Sequence, residues 1–401
     1  MHEIELSIMA HGTEPAGSVR PVLEQFEAQC RCHVRVRVLA WETAWTELVK
    51  IALYSTGPDV SEVGTNWISN LTAMEALRPF HPTELEAVGG APAFLGLAWQ
   101  SGRVIGSTQT WAVPWLADTR VILYRRDLLA KAGIDETTAF QTHSQFEWTL
   151  ERLQASGVTS SPLVIPTQTT ANTLHNLASW VWGAGGDFIS VAGKRTLFNQ
   201  PEAHAGIRAY LGLHRYLAPQ ARGLDARHSD SFYLQGQAAV TVSGPWLILL
   251  NLESSPAAQV IANTGVVLPP GVPFIGGSNL VIWKHTRQDR RALELVRFLT
   301  SQAVQSSYCQ RAGLLPVRLN VLDAPAFVDH PLYRVMSEGL RVGRSFPSFS
   351  AWGLIEDGLT TELACLWADL RADSSLDLDT AITERLGPLA QRLDLTLGQT
   401  L

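Results

Sequence analysis

Thirteen tryptophans stand in this chain of 401 residues, and they are the first residues whose type suggests a use. Trp41, Trp67, Trp111, Trp115, Trp182, Trp246 and Trp352 lie among Gly, Pro, Asn and Asp, the company of loops. A core indole normally sits inside an apolar periodicity, whereas an indole on a loop offers a face on which something flat and apolar can stack. Carboxylates and amides lie close to these indoles in sequence: Glu42 beside Trp41, Asn66 beside Trp67, Asp118 near Trp115. Trp45 and Trp148 show helical spacing with apolar neighbours and read as core; Trp182 beside "GAGG" reads either way.

The sequence holds little bond-making machinery. There is no Gly-x-Ser-x-Gly elbow, no His-Glu-x-x-His and no phosphate loop. Asp118 with Glu42 is the one pair that could mimic the two carboxylates of a glycosidase. "CRCH" places Cys30, Cys32 and His33 together, but no second ligand pair stands at a matching spacing, so no metal is expected. Cys309 and Cys365 read as free buried thiols.

The elements that must position these residues alternate. "EIELSIM" and "HVRVRVLA" have the period-two pattern of strands, and "SVRPVLEQFEAQ" and "WETAWTELVKIALYS" have helical spacing. "GPDVSEVG" is a turn and a short strand, and "ISNLTAMEAL" a helix. That order predicts βαβ units and a parallel sheet, with ligands beyond the carboxyl ends of the strands. Here those ends are His11–Glu14, Trp41–Glu42 and Gly64–Trp67. Further on, "HSQFEWTLERLQAS" and "TLHNLASWVWGAGG" are helices and "SPLVIPTQ" a strand. "FYLQGQAAVTVSGPW" is a turn, a short strand and a polar break. "GVPFIGGSNLVIW" reads as two strands separated by Gly–Gly–Ser–Asn. Residues 288 to 312 read as one long helix stopped at Gly313, with Pro316 preventing its continuation.

An apolar fraction of 46% with only 17% charged residues indicates a well-buried globular protein, too long for one ordinary core. A net charge of −6 without a dense Lys/Arg run argues against a nucleic-acid partner. No stretch approaches the roughly 18 apolar residues of a membrane span, and the start lacks the basic and apolar regions of a signal peptide. Either the protein is cytosolic, or a leader has been replaced by Met1.

Several of these stretches occur in the order of one family. "TGPDV", "AVPWLADTRVILYRRDLLAKAGI", "FYLQGQAAVTVSGPW", and "GGSNLVIWKHT" leading into "ALELVRFLTSQAVQSSYCQRAGLLPVR" resemble the extracellular solute-binding proteins of ABC importers. The resemblance is to the carbohydrate-binding group that includes maltose-binding protein, and it spans essentially the whole chain. "DETTAFQTHSQFEWTL" departs from the helix start usual in that family.

The resemblance implies an α/β protein of periplasmic-binding-protein type II: two α/β lobes joined by a multi-strand hinge, with the ligand cleft between them. The expected division is residues 1–115 plus 276–312 for the first lobe and 116–275 plus 313–401 for the second. The chain would cross near 114–118, 273–276 and 312–316, so that Pro114–Asp118 lines the cleft.

A pyranose has apolar C–H faces that stack on indoles and hydroxyls that both donate and accept, so it calls for Trp walls and a polar rim. The resemblance places Asn66, Trp67, Asp118, Trp246 and Trp352 at ligand contacts. Glu14, Trp41, Glu42, Trp115, His175, Asn176, Gly277, Ser278 and Arg311 complete the expected set. Gly276–Ser278 would offer backbone N–H groups or let the hinge bend, and Arg311 would pair with a cleft carboxylate or cap its helix.

The implied function is binding of a neutral sugar or oligosaccharide by lobe closure and delivery to membrane permease subunits. The protein would be a monomer outside the membrane, without cofactor and without catalysis. A glycerol-phosphate-like anion, a polyamine or a metal chelate are the alternative ligands. A glycoside-acting enzyme and a cytosolic sensor are the alternative functions.

Overall fold

The computed structural model describes residues 2–11, 15–168, 171–249, 257–349 and 351–399. Ten strands follow in chain order: β1 (His2–Met9), β2 (Cys32–Leu39), β3 (Val60–Gly64), β4 (Ala112–Thr119), β5 (Val121–Arg125), β6 (Leu163–Val164), β7 (Val240–Ser243), β8 (Thr264–Val267), β9 (Ile275–Ile282) and β10 (Leu315–Pro316). They form two sheets, one in the order β10-β4-β9-β3-β1-β2 and one in the order β6-β7-β5-β8. Each sheet is the centre of one α/β lobe.

The alternation of "EIELSIM" buries Ile4, Leu6 and Ile8 under the first-lobe helices, while β3 is buried on both faces, as a central strand of a covered sheet must be. β1 runs parallel to β2 and β3, as the βαβ pattern predicts. The other half of the sheet is antiparallel: β9 runs against both β3 and β4, and β10 against β4. In the second sheet β6 and β7 are parallel, and β5 runs against β7 and β8.

A single residue, Arg120, separates β4 from β5, so the chain passes from one sheet to the other there. It returns between β8 and β9. The expected lobe boundaries need correction. Residues 116–119 and Ile275 belong to strands of the first sheet, and Leu315 and Pro316 pair with Ala117 and Leu116, so position 313 is not where the chain leaves the first lobe. Pro316 has no N–H to give a ladder, and it sits on the outermost strand, where none is needed. Further on, the helix Trp352–Ala372 packs on the helix Ala171–Gly183 of the second lobe.

β4 carries a bulge. Pro114 pairs with Asn279 and Leu116 with Ser278, leaving Trp115 between them. A bulge re-aims its extra side chain, and here the indole of Trp115 turns into the core. It lies flat on Tyr308, with ring centroids 5.1 Å apart and planes 7° from parallel. Its carbonyl accepts a hydrogen bond from Gln305 Nε2 at 2.5 Å, and Gln305 Oε1 accepts from Val317 N at 3.0 Å. The Pro–Trp pair therefore locks β4 to the helix behind it and does not line the cleft.

Two further expectations change. "GVPFIGGSNLVIW" holds one strand, β9, because Gly277 at φ +135° lets the backbone continue where a Cβ would stand 2.2 Å from Leu116 O. The long helix is two, Asp289–Leu299 and Gln302–Ala312. The break falls at Thr300, whose carbonyl accepts from Arg318 Nη1 at 3.0 Å instead of continuing the helical ladder. Gly313 ends the second helix in the left-handed conformation, as expected. Trp148, expected in the core, is 49% exposed.

Candidate functional site

Where β3 ends, the turn Thr65–Trp67 carries Asn66 toward the first turns of the helix Trp352–Ala372. Asn66 Nδ2 donates to Glu356 Oε1 at 2.7 Å and to Oε2 at 2.6 Å. Glu356 Oε1 lies 3.5 Å from His175 Nε2 on the helix Ala171–Gly183. His175 Nδ1 faces Arg120 Nη2 at 3.0 Å, and Arg120 Nη1 lies 3.3 Å from Asp118 Oδ1. Five polar side chains thus form one line from the first lobe, through the second, to the crossing between the sheets.

The chemistry of the line assigns its protons. A guanidinium only donates, so His175 Nδ1 must accept, which leaves its proton on Nε2, facing Glu356. Burial and the neighbouring Arg120 push the His175 pKa down, against the opposing pull of Glu356, in keeping with a neutral ring. Among the described residues Asp118 Oδ1 is buried yet accepts no hydrogen bond, which leaves acceptor capacity at the crossing.

Aromatic rings floor this line. His175 stacks on Phe274 at 4.3 Å, Phe274 contacts Phe346 at 5.1 Å, and Phe346 stacks on Trp352 at 4.5 Å. Arg120 lies over the Trp246 ring at 4.9 Å and the Phe274 ring at 5.5 Å. Trp246 Nε1 donates to Asp230 Oδ2 at 2.8 Å, and Ser243 Oγ to Asp230 Oδ1 at 2.7 Å. Burial raises the Asp230 pKa to about 6, with those two hydrogen bonds pulling the other way.

On the first lobe a second aromatic group stands at the strand ends. Trp67 lies 5.8 Å from both Trp41 and Trp45, and Trp41 lies 5.6 Å from His11. Beneath them Glu62, fully buried in β3, accepts from Met9 N at 2.7 Å and from Ser278 Oγ at 2.5 Å, and faces His11 Nε2 at 2.6 Å. That carboxylate fixes the carboxyl end of β1 to the amino end of β9.

The expected residues are therefore distributed unevenly. Asn66, Asp118, His175 and Trp246 come together in one line of partners. Trp41 and Trp67 share the first-lobe cluster, with Trp41 39% exposed. Glu42 is exposed beside Trp41 and forms no ion pair among the described residues. Glu14 lies outside the described residues.

Trp115 and Trp352 are fully buried, so neither offers an open face. Asn176 is also buried, its amide donating to Val242 O at 3.3 Å. The Ser278 hydroxyl is committed to Glu62, and Gly277 abuts the Leu116 carbonyl. Arg311 is exposed in the last turn of its helix and does not join the line.

Residues not expected from sequence include Glu62, Asp230, Phe274, Phe346 and Glu356. Glu356 stands one helical turn after Trp352, a spacing that places both on one face, so it was discoverable. A carboxylate inside the apolar "VSEVG" was a comparable sign for Glu62. Among the described residues no group of three or more His, Cys, Asp or Glu could hold a metal ion, and all four cysteines are free.

The model of a family described as bacterial extracellular solute-binding protein matches residues 10–306. The diacetylchitobiose binding protein DasA of Streptomyces coelicolor is 20% identical over 317 residues, covering 76% of this chain and 71% of that one. A probable ABC transporter-binding protein of Deinococcus radiodurans is 27% identical over 245 residues, 57% of each chain. Among solved structures, a solute-binding protein of Thermotoga lettingae bound with α-D-tagatose superposes with a TM-score of 0.87 at 19% identity, over 99% of this chain and 100% of that one. Maltose-bound MalE3 of T. maritima gives 0.85 at 20% identity, over 98% and 100%.

Proposed function

Because this chain belongs to the bacterial extracellular solute-binding proteins, we propose that it captures a neutral sugar or oligosaccharide between its lobes for the permease of an ABC importer. The observation that carries this reading is the line Asn66–Glu356–His175–Arg120–Asp118. It sets hydroxyl-competent donors and acceptors from both lobes beside the half-buried indoles of Trp67 and Trp246. A sugar entering here would exchange the direct contact between Asn66 and Glu356 for hydroxyl contacts to each. It would bind best with the lobes closed, and only that difference in affinity drives closure. The sugars held by the structurally similar proteins support the ligand class.

Trp115, Asn176, Gly277, Ser278 and Trp352 serve this site from behind, holding the strands and helix that carry the contacts. The protein acts as a monomer outside the cytoplasmic membrane, needs no cofactor and makes or breaks no bond. Among the described residues no helix is long and apolar enough to cross a membrane.

The test is a thermal-shift screen against a panel of mono- and oligosaccharides, followed by calorimetry on the hits. A ligand at 100 times its Kd adds roughly 2.7 kcal/mol to folding. One sugar class should shift the melting temperature and survive incubation unchanged. Products appearing from a disaccharide would favour a glycosidase, and stabilisation by polyamines alone would replace the sugar reading.

A further inference from the structure

The second lobe holds a cavity of about 370 Å³ that lies outside the line of residues just described. One wall is the far end of the helix Trp352–Ala372, with Trp367 and Arg371; the other is the segment around Arg222 and Gly223. Trp367 stands eleven residues beyond Glu356, about 16 Å along the helix at 1.5 Å per residue.

The lining is one-sided in its chemistry. Arg222 and Arg371 both line the cavity, and among the described residues no Asp or Glu does. The nearby carboxylates are engaged elsewhere: Asp369 with Arg385 at 2.6 Å, and Asp225 with His228 at 2.8 Å. Among the described residues neither Arg222 nor Arg371 has a carboxylate partner. Trp367 is 4% exposed, and its Nε1 is buried without a hydrogen-bond acceptor.

The wall opposite is built rather than loose. Gly223 N donates to Thr167 Oγ1 at 2.9 Å, and Gln168 Nε2 donates to Gly223 O at 2.5 Å. Gly223 has φ +78°, and a Cβ there would stand 2.5 Å from Arg371 Nη1. The left-handed conformation is the one glycine takes without strain, and the Arg371 guanidinium lies close against it.

We infer that this cavity is a second ligand site, specific for a small organic oxyanion, a carboxylate or phosphate borne on a compact body. Two guanidinium groups supply charge and paired donors of the geometry that carboxylate and phosphate oxygens accept. Leu217 and the Trp367 indole, which also line the cavity, cover the body of the ligand. The negative end of the helix is nearby, but its half charge is outweighed by two full positive ones. The volume falls within the range of small-molecule sites, about 300–1,000 Å³. The inference does not depend on what the lobes hold between them.

Calorimetry of the full chain with citrate and with inorganic phosphate, at constant ionic strength, tests it. One equivalent of at least one probe should bind saturably. Arg371→Gln and Arg222→Gln should each weaken that binding at least tenfold. Glu356→Gln should leave it within twofold, which separates this site from the one between the lobes. Binding of citrate alone identifies a carboxylate site, and binding of phosphate alone a phosphate site. The inference is overturned if neither probe saturates, or if both arginine variants melt like the parent and bind like it.

Discussion

Asn66 and Glu356 stand 290 residues apart in sequence, and the amide of one donates to both carboxylate oxygens of the other, at 2.7 and 2.6 Å. The pair joins the turn after β3 to the opening of the helix Trp352–Ala372, so first and second lobes touch through a contact that is polar and replaceable. Glu356→Ala should weaken sugar binding at least tenfold, about 1.4 kcal/mol. The carboxylate would otherwise accept from the ligand and from His175. Calorimetry decides, and an unchanged Kd would remove Glu356 from the site.

Asp118 has an oxygen that accepts no hydrogen bond among the described residues and lies 3.3 Å from Arg120. Asp118→Ala should lower affinity at least tenfold with little change in melting temperature, since a charge-assisted bond to a sugar hydroxyl is lost. The opposite result, a lower melting temperature at unchanged affinity, would make Asp118 a structural partner of Arg120 alone.

The tryptophans divide into two experimental classes. Trp67→Ala and Trp246→Ala should each weaken binding and shrink the ligand-induced change in intrinsic fluorescence. Trp115→Ala and Trp352→Ala remove fully buried indoles and should cost about 3–5 kcal/mol of stability, read from urea denaturation. Trp115 or Trp352 variants as stable as the parent would contradict the packing described for them.

Much of the frame was legible because it obeys simple periods. β1 and β2 alternate, the helix His143–Ser156 has the bounds its sequence suggests, and Gly313 stops its helix. The tryptophans were harder, because neighbours such as Pro114 and Gly353 look the same whether an indole faces a cleft or a core. The bulge at Trp115 depends on β9 pairing from across the chain, and the burial of Trp352 on Phe346 folding back over it. Neither cause is local. The line through Arg120 and His175 likewise joins segments that only the tertiary fold brings together.

Asp230 and His175 give the stability opposite pH slopes. The Asp230 pKa is raised from 3.8 to about 6, so between those values the folded chain binds a proton that the unfolded chain has released. Its stabilising contribution is complete below 3.8, shrinks through this window and is gone above about 6. His175 is lowered from 6.5, so its contribution is present above that value and is lost as the pH falls through the lowered one. Asp230→Asn removes the first slope only. Urea midpoints at about pH 4.5 and about pH 7 should therefore rise more with pH in the variant than in the parent. Equal slopes would mean that Asp230 titrates normally.

The six-stranded sheet also sets an order of events at the ribosome. β3 ends at Gly64, yet the strand that covers its free edge, β9, begins only at Ile275. At translation rates of about 5–20 residues per second, the nascent chain carries an unpaired apolar edge for about 10–40 s. Throughout that interval β1–β3 form a template for aggregation, and β4 cannot take its bulged register because the strand that defines it has not been made. Native assembly of this half of the molecule therefore waits until β9 has been made. A holding chaperone, or any factor that prefers the chain unfolded, has its opportunity there.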